Sequence, residues 1–226
     1  MTGLRMKILD IDEIFNFDYG KKLIIGVVHL DPLPGSPLWG GDIEDVIDNA
    51  INDALALEEG GVHGIIVENF GDRPYLARVR EPETIAAMAI IVNEVASEVA
   101  IPVGVNFLRN SAIEALAIAY VASARFVRVN AYVETMDTDS GLIRPIAPRL
   151  LRYARKLDAE IGIFADVRVK HAAPISHRDI GDIIVDCFER GLASCIIITG
   201  ERTGRPPRAE DLIAAKKFSK GPILVG

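Results

Sequence analysis

Seven short, β-branched apolar runs recur along the chain, and stretches of helical period separate them, an alternation that few architectures can bury. The runs are "KLIIGVVHL" (22–30), "GIIVENF" (64–70), "PVGVNFL" (102–108), "FVRVN" (126–130), "IGIFADVRV" (161–169), "CIIITG" (195–200) and "PILVG" (222–226). Between the first two, "DIEDVIDNAINDALALEEGG" sets Ile43, Val46, Ile47, Ala50, Ile51, Ala54 and Leu55 on one stripe, and Gly60-Gly61 can end the helix. Ser111 followed by Glu114 fits a capping box, and Ser176 precedes the helical pattern "HRDIGDIIVDCFERG". Strands alternating with helices imply a parallel sheet with helices packed over it, either open and doubly wound or closed as a (β/α)8 barrel.

Polar placement separates the two. An open sheet draws its ligand crevice from a few strands at a switch point, often with a glycine-rich first loop, whereas a barrel collects polar residues from the C-terminal ends of many strands. Here His29, Glu68 with Asn69, Asn106, Arg128 with Asn130, Asp166 with Arg168 and Lys170, and Thr199 with Gly200 all stand at such ends. The first loop, "HLDPLPGSPLWGG", holds no G-x-G-x-x-G, which weakens a dinucleotide-binding reading. The expectation is an α/β fold, a (β/α)8 TIM barrel occupying residues 1–226 as one domain. A closed barrel has eight strands and typically about 250 residues. The pattern stops at a seventh strand, so the last strand and helix are expected to be missing by truncation, the alternative being an open barrel whose edge is covered by something else.

The densest cluster of charge is "ADVRVKH" (165–171). Reading by twos puts Ile163, Ala165, Val167 and Val169 on one face and Phe164, Asp166, Arg168 and Lys170 on the other. Asp166 and Arg168 would then face the barrel mouth, with Arg128 of the neighbouring strand in the same layer. The group is either an ion-paired plug or an active site in which Asp166 orients Lys170 for acid-base or Schiff-base chemistry. Glu68 is placed as a general base or a metal ligand, or else as a salt-bridge partner of Arg128 or Arg168. Asn106 and Asn130 occupy matching positions and suit neutral hydrogen bonds to a polar ligand. His29 and His171 could meet across the mouth, but no H-x-x-x-H or H-x-H spacing accompanies them and no metal is expected. The loop "TGERTGRPPR" (199–208) offers Thr199, Gly200, Thr203, Gly204 and three arginines to a phosphate or carboxylate, or is simply a solvated loop. The Pro/Gly-rich first loop, with the only tryptophan, Trp39, is a lid or a rigid crossover.

Composition excludes some partners. The 25 Lys and Arg against 32 Asp and Glu give a formal charge of -7, with no basic stretch to track a nucleic-acid backbone. The first residues carry no signal-peptide pattern, and no run approaches the roughly 20 apolar residues of a membrane span. A soluble, cytoplasmic protein is expected. Cys187 and Cys195 have neither metal-site spacing nor disulfide density and read as reduced core residues.

Several stretches taken together resemble the BtpA family of TIM barrels: "IGVVHLDPLPGSP" (25–37), "GVHGIIVENFGDRP" (61–74), "VGVNFLRN" (103–110), "FVRVNAYV" (126–133), "ADVRVKHAAPI" (165–175) and "ITGERTGRPP" (198–207). The resemblance implies a barrel of the ribulose-phosphate-binding type, soluble or peripheral to membranes. Its members are labelled isomerase-like or nucleosidase-like, while the family takes its name from a role in photosystem I biogenesis.

Two functions compete. One is an enzyme on a small phosphorylated, sugar-like or nucleoside-like substrate, doing isomerase or lyase chemistry without a cofactor. In it Glu68 and Asp166 share acid-base work, Lys170 and Arg128 stabilise developing charge, and Asn69, Asn106, Asn130, His29, Arg168 and His171 help bind the substrate. The other is a non-catalytic assembly factor. A homo-oligomer is expected in either case.

Overall fold

A computed structural model describes residues 6–16 and 22–226. The elements in chain order are β1 (Lys7–Ile8), α1 (Ile11–Phe15), β2 (Ile25–His29), α2 (Ile43–Glu59), β3 (Gly64–Glu68), α3 (Pro82–Glu98), β4 (Val103–Asn106), α4 (Ala112–Val121), β5 (Phe126–Val129), β6 (Met136–Thr138), β7 (Gly141–Ile143), α5 (Ala147–Leu157), β8 (Glu160–Val167), β9 (Ala172–Pro174), α6 (Ile180–Glu189), β10 (Cys195–Ile198), α7 (Ala209–Phe218) and β11 (Ile223–Val225). The seven expected strands are β2, β3, β4, β5, β8, β10 and β11, and they pair in parallel in that order. The result is a partial (β/α)8 barrel, with β2 and β11 at the two ends of the curled sheet.

Alternation within each strand builds two cores. Ile65, Val67, Val103, Val105, Val127, Val129, Ile163, Ala165, Val167, Ile196 and Ile198 pack outward against the helices. Ile66, Phe126, Phe164, Cys195 and Ile197 pack inward with Leu9, Ile11 and Ile14, so the short β1–α1 segment closes the base of the barrel. β1 is held there by parallel pairing to the start of β8. The base can be filled because its floor lacks side chains: a Cβ on Gly104 would lie 2.2 Å from the Phe126 ring and one on Gly162 would lie 2.3 Å from Ile14. Phe126 and Phe164 stack at 4.3 Å in the space so made.

Three local expectations are corrected. The capping box at Ser111 does not form: Ser111 Oγ accepts the backbone N–H of Val79 at 2.9 Å and Glu114 takes Arg78 bidentately, so both tie α4 to the segment before α3. Helix α6 is capped by Asp179, which accepts from Gly181 N at 2.7 Å, not by Ser176. The fifth barrel strand ends at Val167, because Arg168 takes a left-handed φ of 55°. Beyond the sequence reading, β6, β7 and β9 form a small antiparallel sheet, with the β6–β7 hairpin between β5 and α5 and β9 between β8 and α6.

Candidate functional site

Register sets the centre of the mouth. His29 pairs with Glu68 and Glu68 with Asn106 across β2, β3 and β4, so three polar side chains stand side by side. On β5 and β8, Arg128 and Asp166 share the inward face. Arg128 grips Asp166 through Nε at 3.0 Å and a terminal nitrogen at 3.1 Å, and its other terminal nitrogen lies 3.7 Å from Glu68. Asn130 adds a hydrogen bond to Asp166 at 2.8 Å, and the Asn106 amide donates to Glu68. Each carboxylate is thus held by one asparagine, and Arg128 bridges the two. Burial works to lower the Arg128 pKa, but the Asp166 and Glu68 carboxylates outweigh it and hold it raised. Asn106 Oδ1 and Asn130 Oδ1 are buried without a hydrogen-bond partner among the described residues, two open acceptors on neighbouring strands.

Glu68 and Asp166 differ in what they can still do. Both Asp166 oxygens are committed to Arg128 and Asn130, so the carboxylate is an anchor and does not orient Lys170. Glu68 keeps one oxygen turned to His29 Nε2, 3.7 Å away, and that imidazole is half exposed and stacked on Phe70 at 4.3 Å. A base at Glu68 therefore has a route for its proton to solvent through His29.

Asn69 is spent on backbone and loop contacts, donating to Asp72 at 2.9 Å within its own loop and accepting from Leu108 N, just past β4, at 2.7 Å. Asp72 in turn accepts the Leu33 N–H at 2.7 Å, and burial raises its pKa. Thr84 donates to Pro34 O at 2.6 Å, which ties the first loop to the start of α3. Behind it lies a cleft of about 260 Å³ whose wall includes Ser36, Tyr75, Leu76 and Leu108. Burial, with Glu68 adding to it, pushes the Tyr75 hydroxyl up to about 12.

Past β8 the face assignments change. Two-residue periodicity placed Arg168 and Lys170 beside Asp166, but the left-handed turn at Arg168 breaks that period. Arg168 reaches Asp211 of α7 at 3.6 Å, and its backbone N–H donates to the buried carboxylate of Glu134, whose pKa burial raises. Lys170 makes no ion pair among the described residues. His171, also at φ 55°, meets Thr203 Oγ1 at 3.1 Å rather than His29. Burial lowers its pKa, reinforced by Arg109, Arg202 and Lys170.

The 199–208 loop is less cationic than its sequence suggests, because Arg208 is paired with Glu201. Gly200 serves packing there, since a Cβ would collide with Arg205 O at 1.9 Å; Gly204 supplies a turn at φ 79° in open space. Thr199 is buried and points its hydroxyl at Gly200 O, 3.2 Å away. A groove of about 750 Å³ runs between this loop and the β6–β9 sheet, lined by Asp137, Asp139, His171, Arg202 and Arg208 among others. No three His, Cys, Asp or Glu side chains converge as a metal site among the described residues.

The polar mouth sits at the C-terminal ends of barrel strands, where enzymes of this architecture place their sites. The BtpA family matches over residues 20–226. The chain belongs to the BtpA family. Its relatives there include the photosystem I biogenesis protein BtpA of Synechocystis, 48% identical over 204 residues covering 90% of this chain and 71% of that protein. An uncharacterised protein of Pyrococcus furiosus is 46% identical over 93% of this chain and 79% of its own length. Among solved structures, 7,8-dihydropteroate synthase from Vibrio fischeri superposes with a TM-score of 0.62 at 16% identity, over 98% of this chain and 78% of that one. The N-acetylmannosamine-6-phosphate 2-epimerase from Clostridium perfringens gives 0.52 at 13% identity, over 89% and 75%. At those identities the likeness shows the barrel fold alone. Among the described residues, no helix is long and apolar enough to cross a membrane.

Arg109, Tyr75 and Phe70 border the mouth without having been singled out in the sequence. "VGVNFLRN" contains Arg109, but the residue lies beyond the end of β4, where strand periodicity no longer tells which way a side chain points.

Proposed function

We propose that this BtpA-family barrel is an enzyme acting on a small phosphorylated, sugar-like or nucleoside-like substrate by acid-base chemistry of the isomerase or lyase type. One observation carries the reading: two carboxylates bridged by a single buried arginine, beside two buried asparagine oxygens that lack donors. A substrate with vicinal hydroxyls would supply those donors. Glu68 removes a proton and passes it through His29 to solvent. Arg128, held by Asp166, presents positive charge where an enolate or alkoxide would form. The epimerase and synthase neighbours support small-molecule chemistry in a barrel of this shape.

A non-catalytic assembly role is the second reading, favoured by the name of the Synechocystis relative. Thermal unfolding against a panel of phosphorylated sugars and nucleosides separates the two. A ligand at 100 times its Kd stabilises by about 2.7 kcal/mol, which for a chain of this size is a rise of roughly 5–10 °C. That rise is expected for wild type and is lost in Glu68→Gln and Asp166→Asn. A panel that moves no melting temperature, or a shift that survives in both variants, rules out the mouth as the site.

A further inference from the structure

Arg109 is 5% exposed and carries the charge of a guanidinium into the rim of the mouth, with no carboxylate among the described residues to meet it. Its side chain donates from a terminal nitrogen to Lys170 O at 2.8 Å, and the cation lies 5.7 Å from the Tyr75 ring centroid. Its Nε is buried and has no partner among the described residues. A guanidinium offers five N–H donors, and leaving a buried one without an anion is costly unless a ligand completes it.

The surrounding contacts gather more positive charge at the same place. The bond from Arg109 fixes the backbone of Lys170, whose ammonium is likewise without an acid partner among the described residues. The next residue, His171, is joined to the loop after β10 by its backbone N–H to Glu201 O at 2.9 Å and by Thr203, whose N–H donates to Nε2 at 3.4 Å. Thr203 Oγ1 lies 3.1 Å from the same nitrogen, and the charge of Arg202 acts on the ring from alongside. The arginines further along behave differently: Arg208 is neutralised by Glu201 and Arg168 faces Asp211. Asp139, on the hairpin side of the groove, is the acid that opposes the cations around His171.

We propose that Arg109, Lys170 and His171, completed by Arg202 and Thr203, form a subsite for a phosphoryl dianion on the β4, β8 and β10 side of the mouth. It rests on the reading of the mouth as a small-molecule site and gives that site a polarity: reacting carbons over Glu68 and Arg128, the phosphoryl group toward Arg109. Barrels of this kind commonly hold phosphate on the loops after the seventh and eighth strands. This subsite instead uses the third, fifth and sixth barrel strands. The fork of Arg109 suits two oxygens of one phosphoryl group, and Lys170 acts as a point charge beside it.

The test is isothermal titration of wild-type protein with ribose 5-phosphate, ribose and inorganic phosphate. Ribose 5-phosphate is expected to bind more tightly than ribose. Removing one charge-assisted contact in Lys170→Met or Arg109→Met is expected to weaken phosphate-dependent binding roughly 10- to 100-fold, while Arg190→Gln, at the exposed end of α6, leaves it unchanged. Lys170→Met removes only a half-buried side chain and keeps the carbonyl that Arg109 uses, so it decides the matter even if Arg109→Met folds poorly. Inorganic phosphate binding as tightly as the ester, with the same dependence on Lys170, would identify free phosphate as the source of the dianion. Phosphate that does not bind wild type, or binds it and Lys170→Met equally, overturns the subsite. If ribose binding that depends on Glu68 persists in that case, the mouth remains a ligand site and only the anion subsite fails. If phosphate binding depends on Lys170 but no ligand binding depends on Glu68, the subsite stands and the catalytic reading of the mouth fails.

Discussion

Individual side chains in this barrel are distinguished less by their type than by whether their charge is answered. Asp166 is fully answered by Arg128 and Asn130, Glu68 partly, and Arg109 and Lys170 by no carboxylate among the described residues. Glu134 shows the same principle for an acid. Burial is the largest influence on it and holds its carboxyl above the ordinary 4.5, against the pull of the Arg168 N–H and guanidinium. A raised acid binds protons more readily in the folded chain than in the unfolded one, so its contribution to stability is fullest below 4.5 and is lost as pH rises through the folded value. Glu134→Gln should therefore gain stability relative to wild type between pH 4.5 and neutrality, read by urea unfolding at several pH values. A difference that does not change with pH would show that Glu134 is not destabilised by burial.

At the level of elements, the joints between helix and strand depend on contacts that local sequence rules assign elsewhere. Ser111 and Glu114 have the spacing of a helix cap, yet Ser111 serves Val79 N and Glu114 serves Arg78, both across 30 or more residues of chain. Ser111→Ala is expected to leave a buried N–H unpaired, costing about 1–3 kcal/mol, more than the loss of a solvent-facing cap. Denaturant unfolding of Ser111→Ala against Ser111→Thr, which can keep the acceptor, checks this; equal stability of the two would refute it. The strands themselves were legible because their apolar runs are short and bounded, and seven of seven stand where the runs are. The small sheet of β6, β7 and β9 was not, since "MDT", "GLI" and "AAP" hold no bounded β-branched apolar run of the kind that marks even the three-residue β11.

Across the whole molecule, the base and the mouth of the barrel are built by opposite means. The base is closed by apolar groups over glycine, with Ile14 of α1 against Gly162 and Phe126 against Gly104. The mouth is a ring of charge held by hydrogen bonds. Ile14→Ala opens a cavity in the plug and should cost about 2–5 kcal/mol in denaturant unfolding. If α1 is only loosely docked, the loss will be well under that range.

The sequence by itself determined the parallel order of alternating strands and helices, and the inward face on which Glu68, Asn106, Arg128 and Asp166 stand, because both follow from periodicity along a single segment. Only the tertiary structure decided which charges find partners. Curling the sheet brings Arg128 to both carboxylates, and the left-handed turn at Arg168 sends that side chain to Asp211 while Arg109 holds the backbone of Lys170. Pairing depends on distances between segments far apart in the chain, and strand periodicity stops informing where the strand ends. "ADVRVKH" is accordingly two things: Asp166 anchors the centre of the mouth, and Lys170 adds its charge to the rim beside His171.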